Sequence, residues 1–278
     1  MIENTAITQK WQLTFWGVRG SAPQCGADYQ KVGGHTSCVS LTIGPSLIIF
    51  DAGTGMINLG NWVAKKGYKS ATVLLSHLHL DHVVGLPFFA PLLQPTFSID
   101  ILSSGLESFG GVKTALSRLF VAPYFPLSLS EVSAEVTYHD FKMGSTFRLK
   151  DSIYISTILL NHPGGSIGYR VEALGKSVCY ITDTAPIEGT ALETFIQGAD
   201  LLIYDATFTQ SEFAKKPQWG HSTWNEAVRL CQQSQVKKLA LFHHDPSHDD
   251  IFLSGLEKQA QAQFKAAFVA RQGQNVSI

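Results

Sequence analysis

The segment Ser76-His77-Leu78-His79-Leu80-Asp81-His82 places three histidines and a carboxylate within six residues, in a chain of 278 residues that holds 10 histidines in all. It follows an apolar run, residues 71–75, that reads as a strand. In an extended segment, residues two apart project to the same side, so His77 and His79 can grip one ion together. Asp81 and His82 follow where the chain turns and can reach a second. Imidazole with carboxylate suits zinc or a neighbouring first-row metal better than calcium or magnesium, which prefer oxygen-only sites.

Other residues of the same chemistry stand at the ends of β-type runs. Residues 152–160 end at Asn161-His162-Pro163-Gly164-Gly165, which presents His162 at a sheet rim as third ligand for the first ion. Residues 177–182 end at Asp183, a carboxylate able to bridge two ions, and residues 199–204 end at Asp205. A last strand, 238–242, delivers His243 and His244. His221 stands just before a helix that Ser222 or Thr223 can cap, running to about Ser234 with Trp224, Ala227, Val228 and Cys231 inward. Asp51, after strand 47–50 and before two glycines, either anchors a ligand histidine from behind or caps an ordinary turn.

The elements that must position these groups read in order as follows. An aromatic strand, 12–16, leads into Gly17-Val18-Arg19-Gly20-Ser21; strands 38–43 and 46–50 pair across Gly44-Pro45. A short apolar helix interrupted by Pro87 and Pro91 is expected over 83–93, a strand over 97–102, and a helix over 110–121. Phe120, Tyr124 and Phe125 lie in an irregular stretch that fits either a lid or pocket wall or plain core packing. A closing helix over 249–271 carries Phe252, Leu256, Ala260, Phe264 and Ala267 at helical spacing. Two similar halves of strand-then-helix units imply two sheets packed face to face with helices outside.

His77, His79, Asp81 and His82 resemble the signature of the metallo-β-lactamase superfamily. That resemblance implies an α/β class and a four-layer αβ/βα sandwich, read here as one domain over residues 1–278. It gives His77, His79 and His162 to one divalent metal, Asp81, His82 and His243 to the other, and Asp183 as the bridge. His243 is chosen over His244 because it stands where the family's last ligand normally does. Two zinc ions are the expected cofactors, with manganese or iron open.

Gly17-Val18-Arg19-Gly20-Ser21, Gly33-Gly34-His35-Thr36-Ser37-Cys38 and Asp51-Ala52-Gly53-Thr54-Gly55 are similar to the branch containing tRNA 3′-processing endonucleases and small phosphodiesterases; members often carry Asn where this chain has His35. Gly220-His221-Ser222-Thr223 resembles that branch's His-Ser-Thr motif, with Asp205 in the place of a supporting acid that is usually Glu. The resemblance implies a phosphodiesterase in which metal-bound hydroxide attacks, His221 donates the proton and Asp205 holds its tautomer, with Asp81 also counted among the reacting groups. Alternatives on the same core are a carboxylic ester, lactone or thioester hydrolase and a non-catalytic, metal-bound nucleotide sensor.

The rest of the sequence narrows the partners. Only 20 residues separate His162 from Asp183, room for a hairpin and not for the long arm of the tRNA-processing enzymes, and the net charge is −1. A small phosphodiester, such as a cyclic nucleotide or a cyclic ribose phosphate, is expected in preference to tRNA. Cys25, Cys38, Cys179 and Cys231 are widely spaced and form neither a zinc ribbon nor a disulfide framework, so buried free thiols are expected. No apolar run approaches a membrane span and residues 1–12 lack a leader pattern, giving a cytoplasmic expectation with no membrane partner; a homodimer is left open.

Overall fold

Residues 47–50 show how the layers arise from a period of two. Leu47 and Ile49 face one apolar cluster with Met56, Leu59 and Val63, while Ile48 and Phe50 face another. In that second cluster Phe50 stacks on Tyr180 with ring centroids 4.9 Å apart. A strand buried on both faces must lie between a helix layer and a second sheet.

The computed structural model describes residues 11–150 and 152–278. The first half comprises β1 (Trp11–Gly17), β2 (Cys38–Ile43), β3 (Ser46–Phe50), α1 (Gly55–Lys66), β4 (Ser70–Leu74), α2 (Leu80–Val83), β5 (Ser98–Ser103), α3 (Gly111–Ser117) and β6 (Glu135–Asp140). The second comprises β7 (Thr146–Lys150), β8 (Ile153–Leu160), β9 (Ser166–Ala173), β10 (Lys176–Ile181), α4 (Ala191–Ile196), β11 (Leu201–Asp205), α5 (Gln210–Phe213), α6 (Trp224–Gln233), β12 (Leu239–Phe242), α7 (Asp250–Gln263), β13 (Ala267–Val269) and β14 (Asn275–Ser277).

One sheet has the order β14-β1-β2-β3-β4-β5-β6 and the other β13-β12-β11-β10-β9-β8-β7. Each sheet is antiparallel through its earlier hairpins and then continues in parallel, β3 to β6 in one and β10 to β13 in the other. Parallel strands point their C-terminal ends to the same rim, and that rim receives the chemistry-bearing residues. The two mixed sheets with flanking helices are the αβ/βα sandwich expected from the sequence.

Several local expectations are corrected. The expected helix over 83–93 is a single α turn, Leu80–Val83, followed by two turns of 3₁₀ helix, because Pro87 and Pro91 supply no N–H for a continuous α ladder. The helix over 110–121 stops at Ser117. The closing helix ends at Gln263: Leu253, Leu256 and Ala260 form its buried stripe and Phe252 faces outward, while Ala267 belongs to β13, paired with β12. The apolar residues 266–269 fit a short buried strand as well as they extend the helical spacing.

Phe120 is buried core, Phe125 packs edge-on against Phe88 and Phe120, and Tyr124 is exposed. Of the cysteines, Cys38, Cys179 and Cys231 are buried free thiols, whereas Cys25 is exposed. Among the described residues no helix is long and apolar enough to cross a membrane. The leader reading of residues 1–10 lies outside the described residues.

Candidate metal centre

The arrangement starts with Asp51, immediately after β3. It is fully buried and adopts a left-handed backbone (φ 56°), which costs a non-glycine residue free energy and turns the chain sharply at the rim. One carboxylate oxygen accepts the Ser76 N–H at 2.7 Å. The other accepts the Ser76 hydroxyl at 2.8 Å, the Tyr180 hydroxyl at 2.8 Å and His82 Nδ1–H at 2.7 Å. Asp51 thus joins both sheets and fixes the His82 tautomer, which leaves Nε2 free to face inward. Of the two readings of Asp51, the anchor is the one the contacts fit.

The same logic orients the other rings. His162 donates Nδ1–H to the Gly220 carbonyl at 2.9 Å, and Nδ1 of His77 lies 3.0 Å from the Ser76 hydroxyl. His243 Nδ1 lies 3.0 Å from Thr207 Oγ1, which is 2.7 Å from an Asp205 oxygen. Gly220 takes φ 77°, and a Cβ there would collide with Pro163 and the His162 ring, so only glycine delivers this carbonyl.

The inward-facing atoms form two groups on either side of Asp183, itself left-handed (φ 53°) just beyond β10. Its Oδ1 faces His77 Nε2 at 3.8 Å and His162 Nε2 at 3.9 Å, and His162 Nε2 lies 3.1 Å from His79 Nδ1. Its Oδ2 faces His82 Nε2 at 3.2 Å and His243 Nε2 at 3.3 Å. Asp81 Oδ2 completes the second group at 3.2 Å from His82 Nε2 and 3.4 Å from His243 Nε2, and is held by the Ser21 N–H at 2.7 Å.

The electrostatics differ between the groups. Burial pushes the His77, His79 and His162 imidazoles below their ordinary value, so each offers a lone pair. Burial acts the same way on His82, but Asp183, Asp81 and Asp51 outweigh it and raise this imidazole well above its usual range. Burial would raise Asp183, yet His243, His82 and His77 hold it well below the carboxylate range. Among the described residues His77 Nε2 is buried without a hydrogen-bond partner, an atom with a lone pair to offer. A divalent cation in each group fits this donor set of three imidazoles on one side and two imidazoles with carboxylates on the other.

Beside both groups stands His221, whose Nδ1 donates to Asp205 Oδ2 at 2.9 Å. Burial opposes its positive charge, but Asp205 raises the imidazole to about 9. Asp205 is itself fixed by the Thr184 and Thr207 N–H groups at 3.1 and 3.0 Å. His221 stacks on His243 with centroids 4.9 Å apart, so its ring borders the second group.

The structure therefore brings together His77, His79, Asp81, His82, His162, Asp183, Asp205, His221 and His243. His244 turns away, its Nε2 bonded to the Ala270 carbonyl at 3.1 Å. His35 stands outside these groups and bonds Thr54 Oγ1 at 3.1 Å. Tyr180, Thr207, Ser76 and the Ser21 N–H were not singled out by sequence reasoning. The spacing Asp205-Ala206-Thr207 is the one signal that points to any of them, since it puts both side chains on one side of an extended segment.

The beta-lactamase superfamily domain model matches residues 47–244, spanning every one of the grouped side chains. The chain belongs to the metallo-β-lactamase superfamily. Among superfamily relatives, Ribonuclease Z of Picrophilus torridus is 24% identical over 314 residues, covering 96% of this chain and 95% of the relative. Ribonuclease Z of Metallosphaera sedula is 27% identical, covering 71% of this chain and 77% of the relative. Superfamily folds that superpose include YhfI of Bacillus subtilis (TM-score 0.75, 19% identity, 97% of this chain and 100% of that one). A diphosphatase of the PhnP family (0.72, 19%, 96% and 98%) and the short form of human tRNase Z (0.68, 21%, 96% and 99%) also superpose.

One prediction arises from the superfamily site itself. In Asp51→Ala, the Ser76 N–H, the Tyr180 hydroxyl and His82 Nδ1 all lose their buried acceptor. The variant is expected to be about 3 kcal/mol or more less stable in urea denaturation, and to bind metal about 10–100-fold more weakly by chelator competition.

Proposed function

We propose that this protein is a binuclear metal-dependent phosphodiesterase acting on a small phosphodiester, cyclic ones included. The observation that carries this reading is the division of donor atoms on either side of Asp183, with the His221–Asp205 pair at their edge. His77, His79 and His162 would hold one ion, Asp81, His82 and His243 the other, and Asp183 both. Zinc is the expected metal, because five of these seven side chains are imidazoles. Two such cations would supply a water acidified to a pKa of about 7 and would neutralise charge on the phosphoryl oxygens.

The protein's own residues then have distinct tasks. Asp51, Gly220, Ser76 and Thr207 keep the rings turned so that their lone pairs converge. Asp205 keeps the proton of His221 on Nδ1 and favours the imidazolium, so that Nε2–H can pass a proton to the leaving alkoxide. No serine or cysteine is needed as nucleophile.

The small-substrate part rests on what is short. Strands β9 and β10 are joined by Leu174-Gly175 alone, leaving no arm between His162 and Asp183. The alignment to the Picrophilus torridus relative extends over 314 residues, more than the 278 of this chain, so that relative carries insertions lacking here. A second reading, an RNA 3′-end nuclease, is favoured by the relatives named Ribonuclease Z, whose reaction needs the same phosphodiester chemistry.

The test is hydrolysis of bis(p-nitrophenyl) phosphate by metal-replete and chelated protein, followed by cyclic nucleotides, cyclic ribose phosphates and a tRNA precursor bearing a 3′ trailer. Metal-dependent turnover with a preference for small diesters is expected. Preferential cleavage of the precursor would replace that reading with the RNA one. Turnover of lactones or thioesters alone would move the protein to the other hydrolases of the superfamily.

A further inference from the structure

A cavity of about 400 Å³ opens against His77 and His79. That volume lies within the range of about 300–1,000 Å³ typical of small-ligand sites. Its far walls come from the segment after β5 and from α3, its near wall from Leu159 at the end of β8 and the Pro163-Gly164-Gly165 turn. The far walls are apolar, with Leu106, Phe109, Ala115 and Leu119, and Met143 closes one side. Among the described lining residues Arg118 alone carries a permanent charge, and its guanidinium lies 5.7 Å from the centre of the Phe109 ring.

This cavity shares the His77 and His79 edge of the metal centre, so a group filling it would be covalently within reach of a phosphate held by those ions. A polyanion would need a row of cations here, and the wall offers one. A planar uncharged ring suits it better: aliphatic side chains give apolar area, and Phe109 and Met143 give favourable aromatic contacts. Arg118 can cover a ring face through its planar guanidinium.

We propose that this cavity is the specificity pocket of the enzyme and that it takes an uncharged aromatic ring carried on the non-leaving side of the phosphodiester. The pocket would thus select aryl-bearing diesters over alkyl ones of the same charge. This rests on the phosphodiesterase reading above, and the test separates the two.

Two substrates with a common p-nitrophenolate leaving group, methyl p-nitrophenyl phosphate and phenyl p-nitrophenyl phosphate, are compared by kcat/KM. The phenyl ester is expected to be preferred at least about tenfold, from the apolar area a ring removes from water. Ala115→Trp, which fills the pocket from α3, is expected to bring that ratio towards one. Leu159→Ser alters a residue 57% exposed on the near wall and is expected to lower the ratio without threatening the fold.

Independently of turnover, the uncharged fluorophore N-phenyl-1-naphthylamine is titrated into wild type and both variants, with phenyl phosphodiester as competitor. Competed binding in wild type and its loss in Ala115→Trp is expected. Equal efficiency on both esters, or probe binding unaffected by both substitutions, overturns the pocket while leaving the phosphodiesterase intact. Competed probe binding with no ester turnover supports the pocket and overturns the phosphodiester reading.

Discussion

Replacing His221 with alanine is expected to lower kcat about 10²–10⁴-fold for a substrate with an alkoxide leaving group. With p-nitrophenolate, which departs unprotonated, the loss is expected to be under about tenfold. The contrast between the two leaving groups is the decisive readout, because damage to the metal centre would depress both alike.

The same residue sets a pH signature. Burial would lower the His221 imidazole, but Asp205 holds it up to about 9, which favours the acid form. Bound cations would repel the positive ring, so the window in which it loses its proton lies below about 9. The acid form is the competent one, so kcat for alkyl esters is expected to fall as pH rises through that window. His221→Ala should lack this limb. A limb that persists unchanged in the variant would take the proton-donor role from His221.

Asp183→Asn is expected to impair turnover and metal binding together. Asparagine tolerates the left-handed backbone at this position and keeps the side chain's size, but it removes the anion that stands between the two donor groups. Turnover should fall about 10³-fold or more, and metal content by mass spectrometry or atomic absorption should drop from two ions per chain to one or fewer. A variant that retained two ions and near-normal turnover would remove Asp183 as the bridge.

How much of this was readable beforehand depends on the range of each interaction. His77 to His82 form a pattern within six residues, and His162, Asp183, Asp205 and His243 each follow a run that alternates or is wholly apolar, so strand ends could be located without a structure. The choice between His243 and His244 came from the resemblance and not from local geometry: His243 lies just beyond β12 with a left-handed backbone (φ 59°), and His244 goes to the Ala270 carbonyl. The supporting contacts are different in kind. Tyr180 reaches Asp51 across the two sheets, and no local spacing announces a pair 129 positions apart.

Element boundaries failed where two patterns coincide. Ala267 continues the stripe of α7 and also suits the short β13, and only the free edge of β12 decides between them. Strands β6 and β7 escaped notice because they are edge strands, half-solvated, with little apolar signal. For the aromatic stretch, a lid or pocket wall and plain core packing were both open. The aromatic residues that drew attention, Phe120 and Phe125, pack into the core, while Leu106, Phe109 and Ala115 from the same stretch line the opening.

The pairing of β14 with β1 has a consequence for how the chain is made. Strand β1 leaves the ribosome well before residues 275–277, yet its outer edge is covered only when they arrive. Likewise the donor atoms near His77 are incomplete until residue 162 emerges, and those near His82 until residue 243. Throughout translation the nascent first sheet therefore exposes an uncapped hydrogen-bonding edge, the kind of template on which chains aggregate. Messages cut short before residue 275 would yield products prone to cluster, and metal supplied early in synthesis would find no finished site to occupy.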